Sequence, residues 1–211
     1  MFLSNLFSDP LLFLVGLAAI VFSITIHEFA HALTAHAQGD DTPESQGRLT
    51  LNPLAHVDLF GLLFLLVAGF GWGRPVLFNP YNLRARRWGP VFVGLAGPLT
   101  NIAAFLVFGI FLRLATRSWG FTPDNYLIIF LQVLMMINLA LAVFNLIPIP
   151  PLDGSKILWA LLPLHMEPLR LWLERYGIWI LLGLIFLESS GLPIFQPIFR
   201  FFFGLAERLF I

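Results

Sequence analysis

From Leu11 to Ala37 the chain runs without a lysine or arginine, and its only ionisable side chains are His27, Glu28, His31 and His36. At about 1.5 Å per residue, a helix of that length reaches across the roughly 30 Å hydrocarbon core of a bilayer. Two more uncharged runs of full length follow, at 91–112 and 126–147. Composition agrees: 11% of the residues are charged and 58% hydrophobic, against roughly 25% charged in soluble domains. A chain so poor in polar surface belongs in a membrane. No basic residue precedes the first run, so it reads as a span and not as a cleavable signal.

Two exclusions follow. A formal net charge of +0 argues against nucleic-acid binding. The absence of cysteine removes disulfides, thiolate zinc sites and a cysteine nucleophile. Chemistry therefore falls to histidines, carboxylates, hydroxyls and amides.

Residues 38–58 are polar and turn-rich and lie outside the hydrocarbon, and 73–88 is an arginine-bearing loop. Between them, 59–71 is apolar but makes only about 20 Å of helix, too short to cross. After the third long run, three prolines and Gly154 break any helix across 145–154. A short apolar piece at 157–164 precedes a further span at 171–187. Phe195–Ile211 reads as an aromatic tail helix, with lipid contact the default for its phenylalanines. The expectation is an all-α polytopic membrane protein: a three-span catalytic core, a re-entrant or partly inserted segment, and one or two C-terminal membrane helices. Residues 1–165 would form the core, and 166–211 C-terminal helices of the same domain.

His27-Glu28-Phe29-Ala30-His31 is an H-E-x-x-H pattern. On a helix, positions i and i+4 stand one above the other, so both imidazoles reach one metal ion. Glu28 adjoins the first histidine, where it can take a proton from water at that metal. Ionisable groups inside a membrane helix are costly and usually face an interior site. A catalytic zinc needs a third protein ligand. The candidates are Asp153, Asp58, His56 and His165, with Asp124, Asp40, Asp41 and Glu44 behind them. Asp153 stands out because it lies in broken backbone at the end of a span, tolerable only where it lines a protein cavity. His36, five residues past His31, falls off the ligand face and reads as interfacial.

H-E-F-A-H at 27–31 together with N-L-I-P-I-P-P-L-D-G at 145–154 resembles the site-2 protease family of intramembrane zinc metalloproteases. Gly97-Pro98-Leu99-Thr100-Asn101 resembles that family's G-P-x-x-N segment. Asn52-Pro53-Leu54-Ala55-His56-Val57-Asp58 resembles the N-P-x-x-H-x-D segment of its short branch, which has no PDZ domain. The resemblance implies Zn2+ held by His27, His31 and Asp153, with Glu28 as general base. It places Asn101 and Asn145 at the active-site region, where either could assist the oxyanion or hold substrate. His56 and Asp58 read as structural or site-lining. The implied reaction is hydrolysis of a peptide bond in or beside a transmembrane helix of a membrane-tethered regulator, such as an anti-sigma factor, in a prokaryotic cell membrane. An exposed edge strand in the 73–90 region could take the unwound substrate by strand addition, while Pro75-Val76-Leu77-Phe78 reads equally well as a lipid-facing loop. Two other classes compete: a membrane metal transporter using the same His/Glu/Asp groups, and a catalytically silent scaffold.

Topology follows from parity. His27 and His31 lie near the exit end of the first span, and Asp153 follows the third. They share a face only if the chain crosses an even number of times between them. The two spans at 91–112 and 126–147 supply that number, so 59–71 should enter and leave on one side. With 38–58 and 73–88 cytoplasmic, Arg74, Arg84, Arg86, Arg87 and Lys156 fall inside, and the site lies near the cytoplasmic face. Arg113 and Arg117 then fall outside.

Overall fold

The computed structural model describes residues 9–68 and 71–211. Two of its long helices begin at side-chain caps. In α1 (Pro10–Ala37) the Asp9 carboxylate accepts from the Leu12 N–H at 3.0 Å, and Pro10 occupies the first turn. A short α2 (Thr42–Ser45) and a 3-10 turn (Pro53–Ala55) lead to α3 (Leu59–Ala68). Then come α4 (Gly89–Arg117) and α5 (Tyr126–Asn145), the latter capped by Asn125 on the Leu127 N–H. The prolines of 148–151 end α5 and hand the chain to α6 (Gly154–Leu161), α7 (Glu167–Ser189) and α8 (Gln196–Phe210).

Helices α1, α4 and α5 are the three described helices long and apolar enough to cross a membrane. They pack as a three-helix unit. Ser23 meets Asn101 while His31 meets Val93, so α1 and α4 are antiparallel. Large apolar side chains such as Leu14, Phe22, Phe92, Leu106 and Phe111 point outward. An apolar exterior of this kind suits lipid. At the unit's middle, three fully buried polar side chains meet, Ser23, Asn101 and Asn138.

The short apolar segment makes a ten-residue helix, α3, about 15 Å long and unable to span. Its flanks meet, since Val57 and Gly73 form an antiparallel pair and the Arg74 N–H donates to the His56 carbonyl at 2.8 Å. The flanks at Val57 and Gly73 therefore lie side by side, so the chain leaves beside the point where it came in.

Arg170, Glu174 and Arg175 crowd the first half of α7, so by composition this helix does not join the three long apolar ones. The tail helix is a packing element as much as a lipid face. Phe199, Phe203 and Phe210 lie on the buried cluster of Phe105, Leu112, Ile128 and Met135, and the rings of Phe105 and Phe210 meet edge-on at 5.5 Å. Phe195 is buried with Leu152 and Leu181, whereas Phe201 is 68% exposed. The Glu188 carboxylate fastens the α7–α8 turn by accepting from the N–H groups of Ile194, Phe195 and Gln196. Sequence spacing could not show this, because these aromatic positions fill a groove left between α4 and α5.

Candidate metal centre

Two stretches of chain more than a hundred residues apart deliver the site. One helical turn separates His27 from His31, and their Nε2 atoms come within 3.0 Å of each other. The broken backbone after α5 brings Asp153 Oδ2 to 3.2 Å from both. The other carboxylate oxygen, Oδ1, takes Lys156 Nζ at 3.4 Å, three residues on. Asp153 is thus held so that one oxygen faces the imidazole pair.

The far side of each ring is also fixed. His31 Nδ1 sits 2.6 Å from the Val93 carbonyl, and His27 Nδ1 sits 2.5 Å from Asn101 Oδ1. Both partners only accept, so each ring carries its proton on Nδ1 and turns a lone pair on Nε2 toward Asp153. That is the tautomer a metal requires.

A tetrahedral zinc with ligands at about 2.0–2.1 Å sets its ligand atoms roughly 3.3 Å apart. The 3.0–3.2 Å triangle of two nitrogens and one carboxylate oxygen matches that edge. Helix α4 supplies the clearance: a Cβ on Gly97 would stand 2.5 Å from His31 Nε2 and 2.6 Å from His27 Nε2. Geometry, donor chemistry and the space left by a glycine all fit a divalent metal here.

The triangle opens on a cavity of about 580 Å3 that Glu28, Asn145 and Lys156 also line. Glu28 Oε2 accepts the Val76 N–H at 3.1 Å, so the extended segment after Gly73 orients this carboxylate. The segment is itself pinned from behind. The buried Arg48 guanidinium donates to the Pro75 carbonyl at 2.6 Å and also to that of Arg74. A second, apolar cavity of about 450 Å3 adjoins the first and shares Ile24, Leu141 and Phe144 with it.

The other sequence candidates sit elsewhere. Asn101 is fully buried behind His27 and is not among the residues that line the cavity. Asn145 does line it, with its amide nitrogen donating to the Leu141 carbonyl at 3.0 Å. His56 is buried with Nε2 2.7 Å from the Thr50 carbonyl, and Asp58 caps α3 on the Gly61 N–H. His165 and Asp124 are exposed. Asp40 is a buried loop knot, accepting from Thr42, Asn79 and Asn82. His36 forms an exposed cluster with Asp41 and Glu44. Sequence reasoning missed Asn138, which donates to Ser23 Oγ at 2.8 Å and accepts from Asn101 at 2.7 Å. The sequence shows it only as one of three amides in the apolar run 126–147, beside Gln132 and Asn145, which does not single it out.

Fold and site together define a membrane protein of the metal-dependent hydrolase type: apolar spanning helices around a His-His-Asp triangle with a carboxylate beside it. Comparison with known proteins agrees. The profile of peptidase family M50 matches residues 116–187, the stretch that carries Asn145 and Asp153. "Putative zinc metalloprotease YwhC" of Bacillus subtilis is 39% identical over 84% of this chain and 82% of its own length. "Putative zinc metalloprotease Rip2" of Mycolicibacterium smegmatis is 30% identical over 90% of this chain and 73% of its own. "Putative zinc metalloprotease MJ0611" of Methanocaldococcus jannaschii is 32% identical over 76% and 83%. No solved structure matches. The chain belongs to peptidase family M50.

Proposed function

We propose that this chain is an intramembrane zinc metalloendopeptidase that cuts a peptide bond in or beside a transmembrane helix of a membrane-tethered regulatory protein. Family membership and the names of its relatives make it a zinc metalloprotease. The finer reading rests on one observation: the His27–His31–Asp153 triangle lies between helices whose outer faces are apolar. A substrate that reaches it through lipid is itself apolar. The neighbouring cavity lined by Ile24, Leu141 and Phe144 offers such side chains a place.

In this reading His27, His31 and Asp153 hold the metal. Zinc bound there would acidify water and polarise the scissile carbonyl. The Glu28 carboxylate, oriented by the Val76 N–H, takes a proton from the attacking water and returns it to the leaving amide nitrogen as the C–N bond breaks. Lys156 keeps Asp153 Oδ2 turned to the histidines. Asn101 holds the His27 ring, and Asn145 lines the space where substrate lies. The exposed backbone beyond Pro75 is where an unwound peptide would pair as an added strand.

The end of the bundle that holds the site also carries Arg48, Arg74, Arg84, Arg86, Arg87 and Lys156, whereas Arg113, Arg117 and Arg208 lie at the other end. Basic residues collect on the cytoplasmic side, so the site faces the cytoplasm. The test is a comparison of membrane proteomes from cells carrying the wild type and Glu28→Gln. New termini that appear only with the wild type and fall within or next to apolar segments support the reading. Termini confined to soluble domains, or none, overturn it.

A further inference from the structure

The polar contacts behind His27 do not stop at Asn101. The Asn101 amide nitrogen donates to Asn138 Oδ1 at 2.7 Å and to the Ser23 carbonyl at 3.3 Å. The Asn138 amide nitrogen donates to the Leu134 carbonyl and to Ser23 Oγ, each at 2.8 Å. The Ser23 hydroxyl spends its own proton on the Ala19 carbonyl at 2.7 Å. All three side chains are fully buried, and each comes from a different apolar helix: Ser23 from α1, Asn101 from α4 and Asn138 from α5.

This relay has a direction. A backbone carbonyl can only accept, so the Leu134 and Ala19 oxygens fix which way the hydrogens point. The Leu134 carbonyl draws the Asn138 amine to itself. The Ser23 hydroxyl, with its proton already committed, can only accept from that amine. Asn138 must therefore turn its oxygen toward Asn101. Asn101 answers with its amine and so presents its oxygen to His27 Nδ1. Turning either amide over would set amine against amine or oxygen against oxygen in a site no water reaches, at a cost of about 1–3 kcal/mol for each stranded group.

We infer that Asn138, which touches neither the ligand triangle nor its cavity, is a positioning residue: acting through Asn101, it holds His27 in the tautomer that offers Nε2 to a metal. The inference rests on the zinc reading above and adds to it a residue on a third helix. A purely structural role, an amide stapling three helices together, makes a different prediction. It would lower stability without a specific effect on metal affinity.

The experiment separates the two. Zinc affinity is measured by chelator competition on the detergent-purified full chain for the wild type, Asn138→Leu and Met135→Ala. Met135 is as deeply buried on the same helix but belongs to the apolar cluster and not to the relay. Loss of such an outer hydrogen bond weakens metal sites by about 10–100-fold. Asn138→Leu should lose zinc affinity in that range. Met135→Ala should lose thermal stability and keep its affinity within about threefold, well short of that range. The cobalt-loaded Asn138→Leu protein should also show an altered visible ligand-field spectrum. Wild-type affinity in Asn138→Leu overturns the inference, as does an equal loss in Met135→Ala. If the wild type itself takes up no zinc, the failure belongs to the functional reading.

Discussion

Gly97 makes the strictest demand on the metal site, because the space its missing side chain leaves is the space between the two histidines. A methyl group there would lie 2.5–2.6 Å from both Nε2 atoms, in a helix interior with no freedom to withdraw. Gly97→Ala should therefore purify as a folded protein with almost no zinc. Gly183→Ala, where a methyl meets nothing within 4 Å, should keep its metal; equal zinc in both variants by elemental analysis would refute the clearance argument. Glu28→Gln asks the complementary question. The amide keeps the shape and loses the base, so zinc should stay while turnover falls by about 10²–10⁴-fold. Legibility at this scale varies by residue. The i, i+4 spacing announces His27 and His31, and the proline-broken stretch draws attention to Asp153. Nothing in the pattern marks Asn138. An asparagine in an apolar span looks the same whether it staples two helices or orients a ligand, and only the contact with Asn101 separates those cases.

Between the elements, Asp40 ties the end of α1 to the loop that passes over Glu28. Its carboxylate accepts from Thr42 N and Oγ1, from the Asn79 N–H at 2.6 Å and from Asn82 Nδ2 at 2.9 Å. Burial by itself would raise this carboxyl, but the bonds from Thr42, Asn82 and Asn79 outweigh it and hold the group below its ordinary 3.8. A folded-state pKa below the unfolded one means that ionised Asp40 favours the fold. That contribution is complete above about pH 3.8 and is lost as pH falls through the lower folded value. Asp40→Asn leaves buried donors facing an amide and should cost about 2–3 kcal/mol. In detergent, its thermal midpoint should lie below the wild type's at neutral pH, and the gap should narrow only under strongly acid conditions. A gap that stays constant into acid would assign the loss to packing and not to charge. The sequence shows Asp40 beside Asp41 in an acidic turn and gives no sign that one is buried and the other exposed, because the partners at 79 and 82 come from the far side of α3. The return of the chain from Val57 to Gly73 is more legible, since the ten helical residues of α3 cannot cross whatever their hydropathy. The inward phenylalanines of α8 are not legible: an apolar stripe in a membrane protein has two apolar media to choose between, and packing decides.

For the whole molecule, the paired flanks at Val57 and Gly73 turn the parity argument into a constraint. With Val57 and Gly73 side by side, α4 must start at the end of the bundle where α1 finishes, and α5 must return the chain there before Asp153. Residues 86 and 117, before and near the end of α4, then lie on opposite sides of the membrane. The native chain has no cysteine, so a single introduced thiol reports its own side without background. In intact cells, a membrane-impermeant maleimide should label Arg117→Cys and spare Arg86→Cys until the membrane is opened. Neither position touches the metal triangle, so metal content should be unchanged in both variants and the readout concerns topology alone. Reversed labelling would keep the bundle and invert it, placing the site on the outer face against the distribution of basic residues. Labelling of both from outside would mean that α4 does not cross, and the three-helix unit would then have to be something other than a membrane-spanning core.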